Sequence, residues 1–252
     1  MKNLFYSFLC LFLLSLSTAA QQMNAEAVKP FNDGLAKSNQ GNYKDALADF
    51  QKALNYDKDY RIYYQLGFAQ MKLNDLDNAV SNFNNSIKAN PGFDAAYNDL
   101  GNVYYSQGKF RDAINNFEKV LGISKDKGIK TAVKYNLALS YTELATEQEK
   151  NKDYKNAVSL LNKAVQYNNY DEAYFLLARN YVEDNQYDNA IKSSEKALKY
   201  RKDIKESGPD YYLGVAYSQK GEMAKAKEYL NKAEKDPVYK SSAEEILKAI
   251  NK

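Results

Sequence analysis

The 252-residue chain contains one Cys, no His and no Trp, and its 35 Lys and Arg nearly balance 32 Asp and Glu. Without imidazole and with a single thiol, there is no material for disulfide scaffolds, for thiol–imidazole catalysis or for the usual zinc sites. The even mixing of acids with bases also argues against a nucleic acid partner, which calls for a concentrated basic surface.

In chain order, the first segment is MKNLFYSFLCLFLLSLSTAA, residues 1–20, with Lys2, an apolar run from Leu4 to Leu16, and then Ser17, Thr18, Ala19 and Ala20. That is the pattern of a secretory signal peptide, cleaved after Ala19 or Ala20. A run of this length is too short to cross a bilayer, which takes about 20 residues, so no stable membrane insertion of the mature chain is expected. Cys10 lies inside the run rather than at its end after a small residue, which argues against a lipid anchor. The expected destination is the periplasm, with extracellular release as the alternative.

After this segment the chain repeats itself. AYNDLGNVYYSQGKFRDAINNFEKV, residues 96–120, aligns with IYYQLGFAQMKLNDLDNAVSNFNNSI before it and with YFLLARNYVEDNQYDNAIKSSEKAL and YYLGVAYSQKGEMAKAKEYLNKA after it. Ala46, Ala79, Ala113, Ala157, Ala190 and Ala226 mark six copies, spaced by 33, 34, 44, 33 and 36 residues. Within a copy, Tyr97, Leu100, Gly101 and Tyr104 recur at helical spacing, a short Gly-containing turn follows, and Ala113, Phe117 and Val120 resume the period. Each copy therefore predicts an αα-hairpin, and sustained strand-like alternation is absent from the sequence.

These residues resemble the tetratricopeptide repeat family, whose motif places an aromatic, a Leu, a small residue and a Tyr on the first helix and Ala, a bulky residue and Ala on the second. The small residue recurs as Gly34, Gly67, Gly101, Ala138, Ala178 and Gly214, and the bulky one as Phe50, Phe83, Phe117, Leu161, Ser194 and Leu230. The predicted fold is all-α, a right-handed αα-hairpin solenoid. Its six repeats over 25–235 run at about 26–59, 60–93, 94–127, 128–170, 171–204 and 207–238, with a C-terminal capping helix at 239–252 that Ser241 or Ser242 can start. Two irregularities stand out. TELATEQEKNKDY lengthens the fourth copy by seven residues between Ala138 and Ala157, predicting a first helix whose Glu- and Lys-rich tip projects into solvent; RKDIKESGPD reads as a surface loop or a hinge.

Chemistry finds little support. Ser124 with Lys127 and Ser193 with Lys196 match Ser-x-x-Lys without its companion motifs, and neither a phosphate loop nor a calcium loop occurs. No catalysis, cofactor or metal is expected. The resemblance implies instead a concave groove lined by the first helices of successive repeats. By alignment the groove residues are Phe31 and Leu35; Tyr64, Phe68 and Met71; Asn98, Asn102 and Tyr105; Tyr135 and Leu139; Phe175, Arg179 and Val182; and Tyr211 and Val215. A family clamp for a C-terminal carboxylate needs Lys, Asn and Arg where this chain has Phe31, Leu35, Gln65, Ala95 and Asp99, so that mode is not expected. An aromatic, aliphatic groove suits a protein or peptide partner with an apolar or amphipathic segment. Self-association through the same face and simple packing between neighbouring helices are the alternatives. The expected role is a scaffold or adaptor of the cell envelope, with a periplasmic chaperone for unfolded envelope proteins as the competing class.

Overall fold

A computed structural model describes residues 22–251; the expected signal peptide lies outside the described residues. They form thirteen helices and no strand: α1 Ala25–Asn39, α2 Tyr43–Tyr56, α3 Tyr60–Lys72, α4 Leu76–Ala89, α5 Asp94–Ser106, α6 Phe110–Ile123, α7 Lys127–Lys150, α8 Tyr154–Tyr167, α9 Asp171–Glu183, α10 Tyr187–Tyr200, α11 Ser207–Gln219, α12 Met223–Ala233 and α13 Lys240–Ile250. None of these helices is long and apolar enough to cross a membrane. Consecutive helices pack as hairpins, and the hairpins stack. The backbones of the odd-numbered helices approach one another along the row more closely than those of the even-numbered ones, so the odd row lines the inner, concave side.

One turn recurs in every hairpin. Gly41, Asn74, Gly108, Lys152, Asn185 and Gly221 each adopt positive φ, between 57° and 80°. Each stands five residues ahead of the marker alanine of its second helix. The next residue's N–H reaches back to close the first helix, as Asn42 does to Lys37 O at 2.9 Å and Lys109 to Tyr104 O at 2.9 Å. This is the Schellman closure, in which a left-handed residue satisfies the last free carbonyls of a helix. It fixes the hairpin register from the turn outward.

That register explains the small–bulky pairs. A Cβ added at Gly101 would sit 2.6 Å from the Phe117 ring, and one at Gly214 would sit 2.6 Å from Leu230 Cγ. Here the bulky residue stands sixteen positions after the small one, as it does from Gly34 to Phe50 and from Gly67 to Phe83. In the fifth hairpin the balance is reversed: Ala178 adds a methyl and Ser194, fully buried, gives up volume. Ser194 Oγ has no hydrogen-bond partner there.

Counting sixteen positions back from Leu161 gives Ala145, not the expected Ala138. The Tyr141 and Tyr167 rings stack at 5.9 Å, with the same sequence separation as Tyr174 and Tyr200, which stack at 5.8 Å. Toward α8, then, α7 is in the Ala145 register. Toward α6 it is in the Ala138 register: Val133 and Leu137, four apart like Ile62 and Leu66, are fully buried in one cluster with Val120. The two registers differ by seven residues, which keeps the apolar face within about 20° while displacing the following hairpins along α7 by about 10 Å at 1.5 Å per residue. The extra length is therefore a step in the solenoid and not a projecting tip. Thr142, Leu144 and Ala145 are buried, and Glu149 pairs with Arg179. Contact along the odd row is weakest between α5 and α7, where the step falls.

The connection between α10 and α11 is pinned rather than hinged. The Asp171 carboxylate, 2% exposed, accepts N–H bonds from Lys202, Asp203 and Ile204 at 2.6, 2.8 and 3.2 Å. Burial opposes its charge, but these bonds more than offset that and hold the carboxyl below its ordinary range. At the C-terminus α13 buries Ala243 and packs on α11 and α12. The helix begins at Lys240, so Ser241 and Ser242 lie in its first turn and do not cap it.

Candidate functional site: the concave face

The proposed groove residues follow a common pattern of exposure: Tyr135 is exposed and the other fourteen are partly buried. In the N-terminal part, Phe31 meets Phe50 at 5.9 Å and, with Leu35, closes the first hairpin core. Tyr64 is the most engaged. Its ring contacts Phe68, Phe83 and Phe93 at 6.3, 5.8 and 5.0 Å, and its hydroxyl donates to Asp99 Oδ2 at 2.8 Å. Phe68 packs edge-on against Tyr43 at 6.2 Å, with Lys72 Nζ 5.2 Å from its ring centroid. Met71 fills the floor beside them.

A polar ladder continues along the odd helices. Asn98 and Asn102 donate to Asp99 Oδ1 at 3.1 and 3.4 Å, and Asn136 of α7 donates to Asn102 Oδ1 at 3.3 Å. Burial pushes the Asp99 carboxyl above its usual range, although the Tyr64, Asn98 and Asn102 bonds work against this. The same burial and the adjacent Asp99 charge push the Tyr64 phenol far up. The asparagines are thus part of an internal brace between hairpins, and less available to a partner than their alignment implied.

At the step and past it the surface is aromatic and acidic. Tyr105 packs on Phe110 at 5.5 Å. Tyr135, 41% exposed, meets Tyr170 edge to face at 5.9 Å, and Leu139 is half-buried one turn further along α7. Phe175 lies 5.7 Å from Tyr212. Tyr211 stacks on Tyr239 at 5.0 Å. Val182 joins the last core cluster, and Val215 is half-buried on α11. Arg179 is tied across to α7 by Glu149, which also accepts from Asn180. Thr146, Glu149, Arg179, Asn180 and Glu183 line a cleft of 420 Å³, and Phe175, Ile204, Val238 and Tyr239 help line one of 280 Å³.

Alignment from Ala138 did not point to Thr146 and Glu149, whose signal is the turn at Lys152. Nor did it point to Tyr170 and Tyr239, which belong to connections outside the repeat's first helix. The two Ser-x-x-Lys matches lie elsewhere: Ser124 Oγ accepts the Asp126 N–H at 3.2 Å, and Lys196 Nζ lies over the Tyr174 ring at 5.3 Å. The assembled face offers apolar area, phenol hydroxyls and carboxylates, which are means of binding.

The chain matches models of the tetratricopeptide repeat over residues 95–126 and over 32–60, 60–93, 138–171, 171–204 and 211–235. The fourth of these segments in chain order starts at residue 138, well inside α7, so that Ala145 holds the place that Ala178 holds in the segment starting at 171. The human DnaJ homolog subfamily C member 7 is 28% identical over 137 residues, 52% of this chain and 26% of that protein. Photosystem I assembly protein Ycf3 of Rippkaea orientalis is 29% identical over 94 residues, 36% of this chain and 54% of that protein. The chain thus spans about a quarter and about half of these two relatives. Among solved structures, the C-terminal part of a repeat-containing protein from Cytophaga hutchinsonii superposes with a TM-score of 0.58 at 18% identity, covering 91% of this chain and 90% of that one. YrrB, described as having an unusual peptide-binding site, superposes with a TM-score of 0.52 at 24% identity, covering 79% and 97%.

Proposed function

The chain belongs to the tetratricopeptide repeat family, whose members generally mediate protein–protein interaction, and from that premise we propose that it is a non-catalytic scaffold or adaptor of the cell envelope that binds a segment of a partner protein along its concave face. The observation that carries this reading is the run of half-exposed aromatic and aliphatic side chains on the odd helices, from Phe31 to Val215. Rings held by their neighbours present large contact area at small entropic cost, which is how aromatic anchors contribute at interfaces. Export to the periplasm is part of the proposal and rests on residues 1–20 alone.

The test is in-cell photo-crosslinking with probes at Tyr135 and Phe175 and a control probe at Lys119, which is exposed on α6. A single heavier band from the concave probes alone is expected. Many bands of unrelated size would favour a chaperone that holds unfolded envelope proteins, and equal labelling from Lys119 would remove the concave face from consideration.

A further inference from the structure

The concave face is not chemically uniform, and its most open aromatic lies at the step. Because α7 is longer than the other first helices, Tyr135 comes to lie between two hairpins. It meets Tyr170 edge to face at 5.9 Å; Tyr105 and Tyr170 pack against the same core cluster, and burial, followed by the nearby charges of Glu143 and Glu172, pushes the Tyr105 phenol up. Tyr170 is fixed in place by donating its hydroxyl to Glu172 Oε2 at 2.8 Å. Glu143 is exposed and Glu172 half-buried. Among the described residues neither carboxylate has an ion-pair partner, in contrast to Glu149, which Arg179 holds.

Ring faces and unpaired carboxylates attract the same ligand for two separate reasons. The quadrupole of a tyrosine ring draws a cation to its face, and the carboxylates supply a counter-charge that no lysine or arginine among the described residues takes up in an ion pair. Aromatic walls also select an organic cation over a metal ion, which needs a fuller set of oxygen ligands. We propose that Tyr105, Tyr135 and Tyr170, with Glu143 and Glu172, form a receptor for one arginine or lysine side chain of the bound partner segment. This inference rests on the concave-face reading above and adds to it that the segment is amphipathic and basic at the point where it crosses the step.

The test uses the chain and two labelled helical peptides with the same Leu- and Phe-bearing face, one with a central arginine and the other with neutral citrulline in its place, compared by fluorescence anisotropy. The arginine peptide is expected to bind about five- to tenfold more tightly, from one cation–π contact and two partly exposed ion pairs. In the Glu143→Gln/Glu172→Gln variant the ratio is expected to fall to about one while the citrulline affinity is unchanged. Tyr135→Leu, which keeps apolar area, is expected to lower the ratio two- to threefold. Equal affinity of the two peptides for the unaltered chain would overturn the cation receptor and leave the concave-face reading standing, as would an arginine preference that survives in the double variant. Failure of both peptides to bind would overturn both.

Discussion

If α7 carries two registers seven residues apart, removing seven residues should make them coincide. Deleting residues 138–144 joins Leu137 directly to Ala145 and recreates the Leu-small pair seen at Leu100–Gly101. At 3.6 residues per turn, the faces before and after this junction stay within about 20° of their present alignment. The Tyr141–Tyr167 stack is lost, at about 0.5–1.5 kcal/mol beyond area burial, and Leu137 takes over the place of Leu144. A net change of less than about 2 kcal/mol is expected, well inside the ordinary stability of a domain. Deleting only residues 138–143 rotates the two parts by about 120° instead. Either Val133 and Leu137 or Leu144 and its neighbours then leave the core, at about 1.5–3 kcal/mol for each large side chain, or about 3–6 kcal/mol together. Urea unfolding followed by circular dichroism compares the two deletions, and small-angle scattering of the first should show the C-terminal hairpins drawn in by about 10 Å. Equal tolerance of both deletions, or unfolding of the seven-residue deletion alone, would refute the two-register account.

Three further outcomes follow from packing and charge. Gly101→Ala places a methyl 2.6 Å from the Phe117 ring and is expected to cost about 1–3 kcal/mol; Phe117→Leu in the same chain should recover much of this by recreating the natural Ala145–Leu161 pairing, as read from melting curves. Asp171→Asn takes the charge from an acceptor of three backbone N–H groups and is expected to cost about 2–3 kcal/mol. Its carboxyl is depressed in the fold, so this contribution is present above the ordinary carboxylate range and lost as pH falls through the folded value; faster hydrogen exchange at residues 202–204 would report release of the loop. Asp210 behaves oppositely: burial raises its carboxyl from 3.8 to about 6, so the folded chain binds this proton more tightly and its ionisation costs stability progressively from about pH 4 to pH 6. Asp210→Asn should therefore raise the melting temperature at pH 7, with a gain of up to about 3 kcal/mol that disappears by about pH 4, and an equal gain at both pH values would contradict this assignment.

What could be read from the sequence depended on whether its cause was local. The hairpins were legible because Ala113, Phe117 and their counterparts recur at fixed distances from a turn. The fourth repeat was not fully legible because Ala138 and Ala145 are both alanines on the same stripe of one unbroken helix. Only the choice of neighbour, α6 for one and α8 for the other, distinguishes them. The Asp171 anchor was hidden because its partners are backbone N–H groups more than thirty residues later, which leave no side-chain signature. On the concave face, alignment picked out the half-exposed stripe residue by residue but could not separate Asn98 and Asn102, which brace Asp99, from Tyr135, which remains open. Helical periodicity places a side chain on a face; the neighbouring hairpin decides whether it is used there.

The central claim is that the half-exposed aromatic and aliphatic side chains of the concave face bind the partner, and quantitative co-purification from cells with Tyr135→Ser/Val215→Ser against Lys119→Ser tests it most directly. Loss of most of the partner from the concave variant, with melting temperature unchanged and full recovery in the Lys119→Ser chain, is the expected result. Undiminished recovery with the concave variant would contradict the account and return these side chains to packing between hairpins.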